Sequence, residues 1–184
     1  CYDKDMPAQV NYWRRGDENF RELANGLLID EIGEPISANV VYGNGILNNG
    51  SHLLDFAKML LGPVKTYLVN TFIAGYQDGP IPSDLNIHFS LVMESGINIT
   101  FNPISFDNYR ENSLEIWGTK GRITFYQESL VVTKYIKTAH RTIIDAFEID
   151  MDSPKIMNSK CGNALYKMYD NLYSAIMNND KLWS

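Results

Sequence analysis

The chain has 184 residues, 45% of them hydrophobic, enough to bury a sizeable core, and a single domain over residues 1–184 is expected. Its net charge of −6, with no dense Lys/Arg patch, argues against nucleic acid as a partner. Only Cys1 and Cys161 are present, too few for a disulfide framework or a zinc site, and neither a run of about eighteen apolar residues nor a basic-apolar leader is found; a cytoplasmic protein without a membrane partner or metal is expected. Cys1 follows no initiator Met, and the stretch to Met6-Pro7 reads like the tail of something preceding, so a fragment is expected.

In chain order, Asp17 opens a segment in which Phe20, Leu23, Leu27 and Leu28 recur at helical spacing, with Gly33 and Pro35 as its stop. Residues 36–42 are rich in β-branched side chains, and 65–74 and 85–93 alternate apolar and polar positions, so all three read as strands. Glu94-Ser95-Gly96 turns the chain into a strand over 97–101. Gly118-Thr119-Lys120-Gly121 joins Leu114-Glu115-Ile116-Trp117 to Arg122-Ile123-Thr124-Phe125 as a hairpin. Further strands are expected over 129–135 and 142–149, followed by a helix through Ala164, Leu165, Met168, Tyr169, Leu172, Ile176 and Met177. Consecutive hairpin-linked strands with helices gathered at the ends predict an α+β fold: a largely antiparallel open β-sheet with helices packed on one face. If aromatic residues such as Phe72, Phe89, Phe101, Trp117 and Phe125 lie on the uncovered face, that face is a docking surface. The sequence leaves the assignment of faces open.

The most informative stretch is Tyr42-Gly43-Asn44-Gly45-Ile46-Leu47-Asn48-Asn49-Gly50-Ser51-His52-Leu53-Leu54-Asp55. Three glycines permit tight turns, and an apolar run from Leu53 to Leu61 ends at Gly62-Pro63, so the motif sits on a strand-to-helix turn. Asn48, His52 and Asp55, spaced four and three apart, project roughly to one side of that helix. Histidine has the unperturbed pKa closest to neutrality, which suits His52 to acid/base work.

Together with Val10-Asn11-Tyr12-Trp13-Arg14-Arg15, Ile32-Gly33-Glu34-Pro35-Ile36 and the Leu114–Gly121 hairpin, this motif resembles the C-terminal domain of the glucose-fructose oxidoreductase, inositol dehydrogenase and MocA family (Gfo/Idh/MocA). The resemblance covers nearly the whole chain. It implies an NAD(P)-dependent sugar or cyclitol oxidoreductase with an N-terminal Rossmann domain, and an α+β substrate domain whose open sheet mediates homo-oligomerisation as a dimer or tetramer. No Gly-x-Gly-x-x-Gly fingerprint stands here, since Gly43-Asn44-Gly45 lacks the third glycine. NAD or NADP is therefore expected only in a full-length protein, with no cofactor-binding residue in this chain, and the family's Glu-Lys-Pro motif is expected upstream of Cys1.

The resemblance assigns His52 as the catalytic acid/base; the alternative is a capping or buried structural histidine, the reading kept for His88 and His140. Asn48 falls where many members carry Asp and others Asn. Its amide can position a substrate hydroxyl but cannot shuttle protons, and otherwise it is a turn or cap residue. Asn at this position resembles members acting on nucleotide-linked sugars in polysaccharide biosynthesis. Asp55 is expected to orient the imidazole or to pair within the helix. Tyr12, Arg14 and Arg15 are substrate-binding candidates along a cleft, an arginine facing a carboxylate or phosphate bidentately, against ordinary ion pairing with Asp17 or Glu18. Lys120 reads as a solvated turn residue and Trp117 as core or interface. Two functions stand: the substrate domain of a dehydrogenase acting on a sugar, cyclitol or nucleotide sugar, or a non-catalytic oligomerisation or ligand-binding domain that keeps the His52 motif for structure. Hydrolysis by transient oxidation, known among relatives, is a third. The fragment alone is expected to be inactive.

Overall fold

Period-two burial sets the central sheet. In β1 (Pro35–Tyr42), Ala38, Val40 and Tyr42 are buried while Ser37, Asn39 and Val41 alternate with them on the other face. The computed structural model describes residues 6–184, and Cys1 lies outside the described residues. The other strands are β2 (Val64–Val69), β3 (Phe89–Met93), β4 (Asn98–Pro103), β5 (Ser113–Gly118), β6 (Gly121–Tyr126), β7 (Val131–Ala139), β8 (Phe147–Ile149) and β9 (Lys155–Met157). They form one sheet in the order β2-β3-β4-β1-β5-β6-β7-β8, with β9 also paired to β7.

The fold is α+β with a mostly antiparallel open sheet, as the element order predicts. One pairing departs from this: β1 runs parallel to β4, Val40 opposite Phe101, and antiparallel to β5, Val40 opposite Leu114. A helix separates β1 from the strands that follow, and such a crossover is what a parallel neighbour requires. The β5–β6 hairpin forms in the expected register, with Ile116 opposite Ile123.

The first helical segment is capped as expected, since the Asp17 carboxylate accepts the N–H groups of Asn19 and Phe20. It is not continuous. Gly26 takes a φ of 121°, open to glycine alone at low cost, and breaks the segment into α1 (Glu18–Glu22) and α2 (Leu28–Ile32). The motif helix α3 (Ser51–Leu61) follows a wide turn, Ile46–Gly50, and stops at Gly62. Helices α1 to α3 cover one face of the sheet. Phe20 of α1, Phe56 of α3 and Phe125 of β6 meet with ring centroids 4.9 to 5.5 Å apart. The last helix, α4 (Cys161–Asn178), packs on the short turn Trp13–Gly16 through Ala164 and Met168.

Three expectations are corrected. The strand expected over 65–74 stops at Val69 and that over 85–93 starts at Phe89. Between them the chain makes an excursion that contains one isolated β-bridge among the described residues, Tyr76 to Asn86. The strand expected over 142–149 shrinks to β8, and β9 arises where none was expected. The faces are now assigned: Phe89, Phe101 and Phe125 are core, the first two stacked at 4.4 Å. Of the five aromatics considered for the open face only Trp117 lies there, while Phe72 stands 99% exposed on the turn after β2. The rest of the open face is mixed, with Asn102 donating to Asn39 at 2.6 Å and Arg122 bridging to Glu115 at 3.1 Å above the Tyr135 ring, beside the apolar Val41, Leu68 and Val92.

Candidate functional site

The Gly-rich turn leading into α3 leaves the first N–H groups of the helix without intrahelical partners. The chain supplies them from the excursion between β2 and β3. Asp84, 1% exposed, accepts the N–H groups of Leu47 at 2.8 Å and Asn48 at 2.9 Å. Gly45, at φ 92°, allows this approach, because a Cβ there would stand 2.1 Å from the Asp84 carboxylate. Asn86 accepts the Gly45 N–H at 3.0 Å and donates to Asp78, which in turn accepts the N–H groups of Asn44 at 3.0 Å and Phe106 at 2.8 Å. The buried Tyr42 hydroxyl locks the excursion, donating to the Ile87 carbonyl at 2.6 Å and accepting its N–H at 2.9 Å. Burial pushes that phenol up to about 12. Asp78, Asp84 and Asn86 are not singled out by sequence reading; the signal available was their clustering around Gly79-Pro80-Ile81-Pro82, between two strand-like runs.

His52 sits in the first turn of α3, half-buried, with the Tyr12 ring edge-on to it at 5.3 Å and 88°. Desolvation, and next the charge of Arg14, hold its pKa below the ordinary 6.5, against the smaller pull of Glu128 and Asp55. The imidazole is therefore neutral at pH 7 and can accept a proton. Asn48, one turn upstream, directs its side-chain amide back to the Asn44 carbonyl at 3.2 Å.

Asp55 turns its carboxylate to Arg15 in a bidentate pair, Nε to Oδ2 and Nη2 to Oδ1 both at 2.8 Å, rather than to the His52 ring. This pair fastens the segment that carries Tyr12 onto α3, and so fixes the Tyr12–His52 contact. Arg14 points the other way, 2% exposed, between the rings of Trp13 at 4.6 Å and Phe56 at 5.6 Å. Its Nε donates to Ser129 Oγ at 2.9 Å and its Nη2 reaches Glu128 at 3.4 Å. Burial lowers its pKa to about 10, offset in part by Glu128. Gln127, Glu128 and Ser129 in the β6–β7 turn all hold positive φ, at 46°, 60° and 68°. A left-handed residue costs about 1–2 kcal/mol, so this turn is held in place by what it delivers, the partners of Arg14.

The structure thus brings Tyr12, His52, Arg15 and Asp55 to one side of α3 and places Arg14 in the core beneath it. The residues present do not fit a dinucleotide's pyrophosphate at the α3 N-terminus, where the anion's place is taken by Asp84. Among the described residues no group of three or more His, Cys, Asp or Glu side chains is placed to hold a metal ion, and no helix is long and apolar enough to cross a membrane.

Comparison with known proteins agrees with this architecture. Residues 36–124 match the model of the GFO/IDH/MocA C-terminal domain. No curated protein matches the sequence. Among solved structures, an oxidoreductase from Agrobacterium radiobacter in complex with NAD+, L-tartaric acid and magnesium matches with a TM-score of 0.60 at 17% identity, covering 100% of this chain and 58% of that one. The super-repressor mutant of Gal80p from Saccharomyces cerevisiae matches with a TM-score of 0.64 at 10% identity, covering 100% and 56%. Levoglucosan dehydrogenase in complex with NADH and L-sorbose matches with a TM-score of 0.58 at 15% identity, covering 90% and 55%. The chain spans little more than half the length of each. Residues 36–124 are thus similar in sequence to the C-terminal domain of the Gfo/Idh/MocA oxidoreductase family, and the chain shares its fold with these solved structures.

Proposed function

We propose that this chain is the substrate-binding domain of an NAD(P)-dependent oxidoreductase acting on a secondary alcohol of a sugar, cyclitol or nucleotide sugar. His52 is its acid/base. The observation that carries the reading is a neutral, half-buried imidazole at the mouth of α3, fixed against Tyr12 in a domain similar to this family's. In the oxidation the alcohol proton passes to the free imidazole nitrogen and the carbon gives up hydride, leaving a ketone and an imidazolium. The hydride acceptor is held outside the described residues, because the turn that resembles a phosphate loop is filled by Asp84. The domain alone is accordingly inactive. Asn48 positions a substrate hydroxyl, and Arg15 and Asp55 hold the Tyr12 segment in place.

The reading includes a homo-oligomer, dimer or tetramer, through the open sheet face, where Trp117 and Tyr135 supply the apolar contact. The Gal80p likeness favours a second reading, a ligand-binding or assembly domain without catalysis, in which the Arg15–Asp55 pair is purely structural. A screen of the full-length protein with free and nucleotide-linked sugars, followed by nicotinamide absorbance, separates the two. Turnover on at least one class supports the dehydrogenase, whereas its absence across all of them leaves the assembly domain. Light scattering on the domain checks the interface, which a monomer at about tens of micromolar contradicts.

A further inference from the structure

The structure holds a second feature beside α3, reached by the stripe that carries His52, Asp55 and Met59. At the far end of this helix a groove of about 750 Å³ opens between α1, α3 and the tail after α4. Its lining includes Arg15, Arg21, Lys58, Lys181 and Trp183 and no carboxylate, in a chain whose net charge is −6. Among the described residues Arg21, Lys58 and Lys181 enter no ion pair.

The tail forms this wall through specific bonds. Asn171, 8% exposed, donates to the Lys181 carbonyl at 3.0 Å and accepts the Trp183 N–H at 2.9 Å, while Gln9 donates to the same amide oxygen at 2.9 Å. Arg21 then stacks on the Trp183 ring at 4.3 Å. On the other side of Trp183 the lining is mixed, Glu18, Asp170 and Asp180 standing beside Arg21, Lys167 and Lys181, so the side that faces α3 is the one free of carboxylates.

We propose that this groove binds the diphosphate and base of a nucleoside diphosphate whose attached sugar reaches His52. His52, Asp55 and Met59 follow one another at helical spacing, and the last lines the groove. Met59 is seven positions beyond His52, about 10 Å along the axis at 1.5 Å per residue, a span that a sugar ring and its first phosphate cover, and Lys58 stands beside Met59 on the neighbouring flank of the helix. Lys58, Lys181 and Arg21 meet the phosphate charge, and Trp183 offers an aromatic surface for the base. Only the sugar end of this assignment rests on the oxidoreductase reading.

The test is calorimetry on the 184-residue chain at low ionic strength with three probes: UDP, inorganic pyrophosphate and NADPH. UDP is expected to bind with a Kd on the order of 10–100 µM, pyrophosphate more weakly for want of a base, and NADPH at least about tenfold more weakly than UDP. The exposed double variant Lys58→Glu/Lys181→Glu, its fold checked by circular dichroism, loses at least about tenfold in UDP affinity, and Trp183→Phe a smaller factor. His52→Ala leaves UDP binding unchanged. No binding of UDP up to about 1 mM, undiminished binding by the double variant, or preference for NADPH overturns the proposal. Failure of turnover on every sugar, with UDP still bound in the groove, removes the oxidoreductase reading and supports the groove.

Discussion

The two ends of α3 handle charge in opposite ways. At its N-terminus, where the helix dipole invites an anion, the chain inserts its own, and Asp84 satisfies the N–H groups of Leu47 and Asn48 from deep inside the fold. Around the last turn of the helix Arg21, Lys58 and Lys181, from separate elements, line an open groove and enter no ion pair among the described residues. A glycine-rich turn before a helix is therefore no evidence of a phosphate site until its N–H groups are accounted for. The filled end instead provides rigidity, a platform on which His52 can be held against Tyr12. The open end keeps its charges available.

That contrast predicts unequal costs of substitution. Asp84→Ala leaves two buried N–H groups unsatisfied, and chemical denaturation should show a loss of about 2–4 kcal/mol. A loss within the scatter of surface variants contradicts the internal cap. Arg15→Ala breaks a partly buried bidentate pair and strands Asp55, so a loss of about 1–3 kcal/mol is expected in the same measurement. The pH dependence of stability carries a smaller signature. His52 has a pKa below 6.5 in the folded chain, so between that lowered value and 6.5 the unfolded chain binds more protons. Stability then rises with pH through this window and falls on acidification. Denaturation of His52→Gln across the window should show a flatter profile than the parent; identical slopes contradict the burial of His52. At the open end, Lys58→Ala should change stability by no more than about 0.5 kcal/mol, and a larger loss means that Lys58 has a structural partner.

Much of the frame was readable from local chemistry. The Asp17 cap, the stop of α3 at Gly62 and the β5–β6 hairpin follow from residue types within a few positions of each element. What escaped depends on distant partners. The strand-like alternation over 65–74 and 85–93 predicts longer strands, yet Asp78 and Asp84 between these runs and Asn86 within the second are drawn to the backbone of the motif turn some 34 to 41 positions away in sequence, and the strands stop short. The parallel placement of β1 beside β4 is likewise a choice between distant strands. At the site, spacing alone put His52 and Asp55 on one stripe, but it could not say that Asp55 turns to Arg15 or that Arg14 goes inward to Glu128 and Ser129. The groove cations carry no motif at all, since Arg21, Lys58 and Lys181 are brought together only by packing.

The central claim is that the platform at the α3 N-terminus serves proton transfer by His52. The most direct measurement is turnover of the full-length enzyme with His52→Ala across about pH 6–9, the range around histidine titration. The account predicts a fall in turnover of about two to four orders of magnitude with cofactor affinity nearly unchanged. Near parental turnover throughout that range would contradict it and make the Asn48, His52 and Asp55 cluster a structural device.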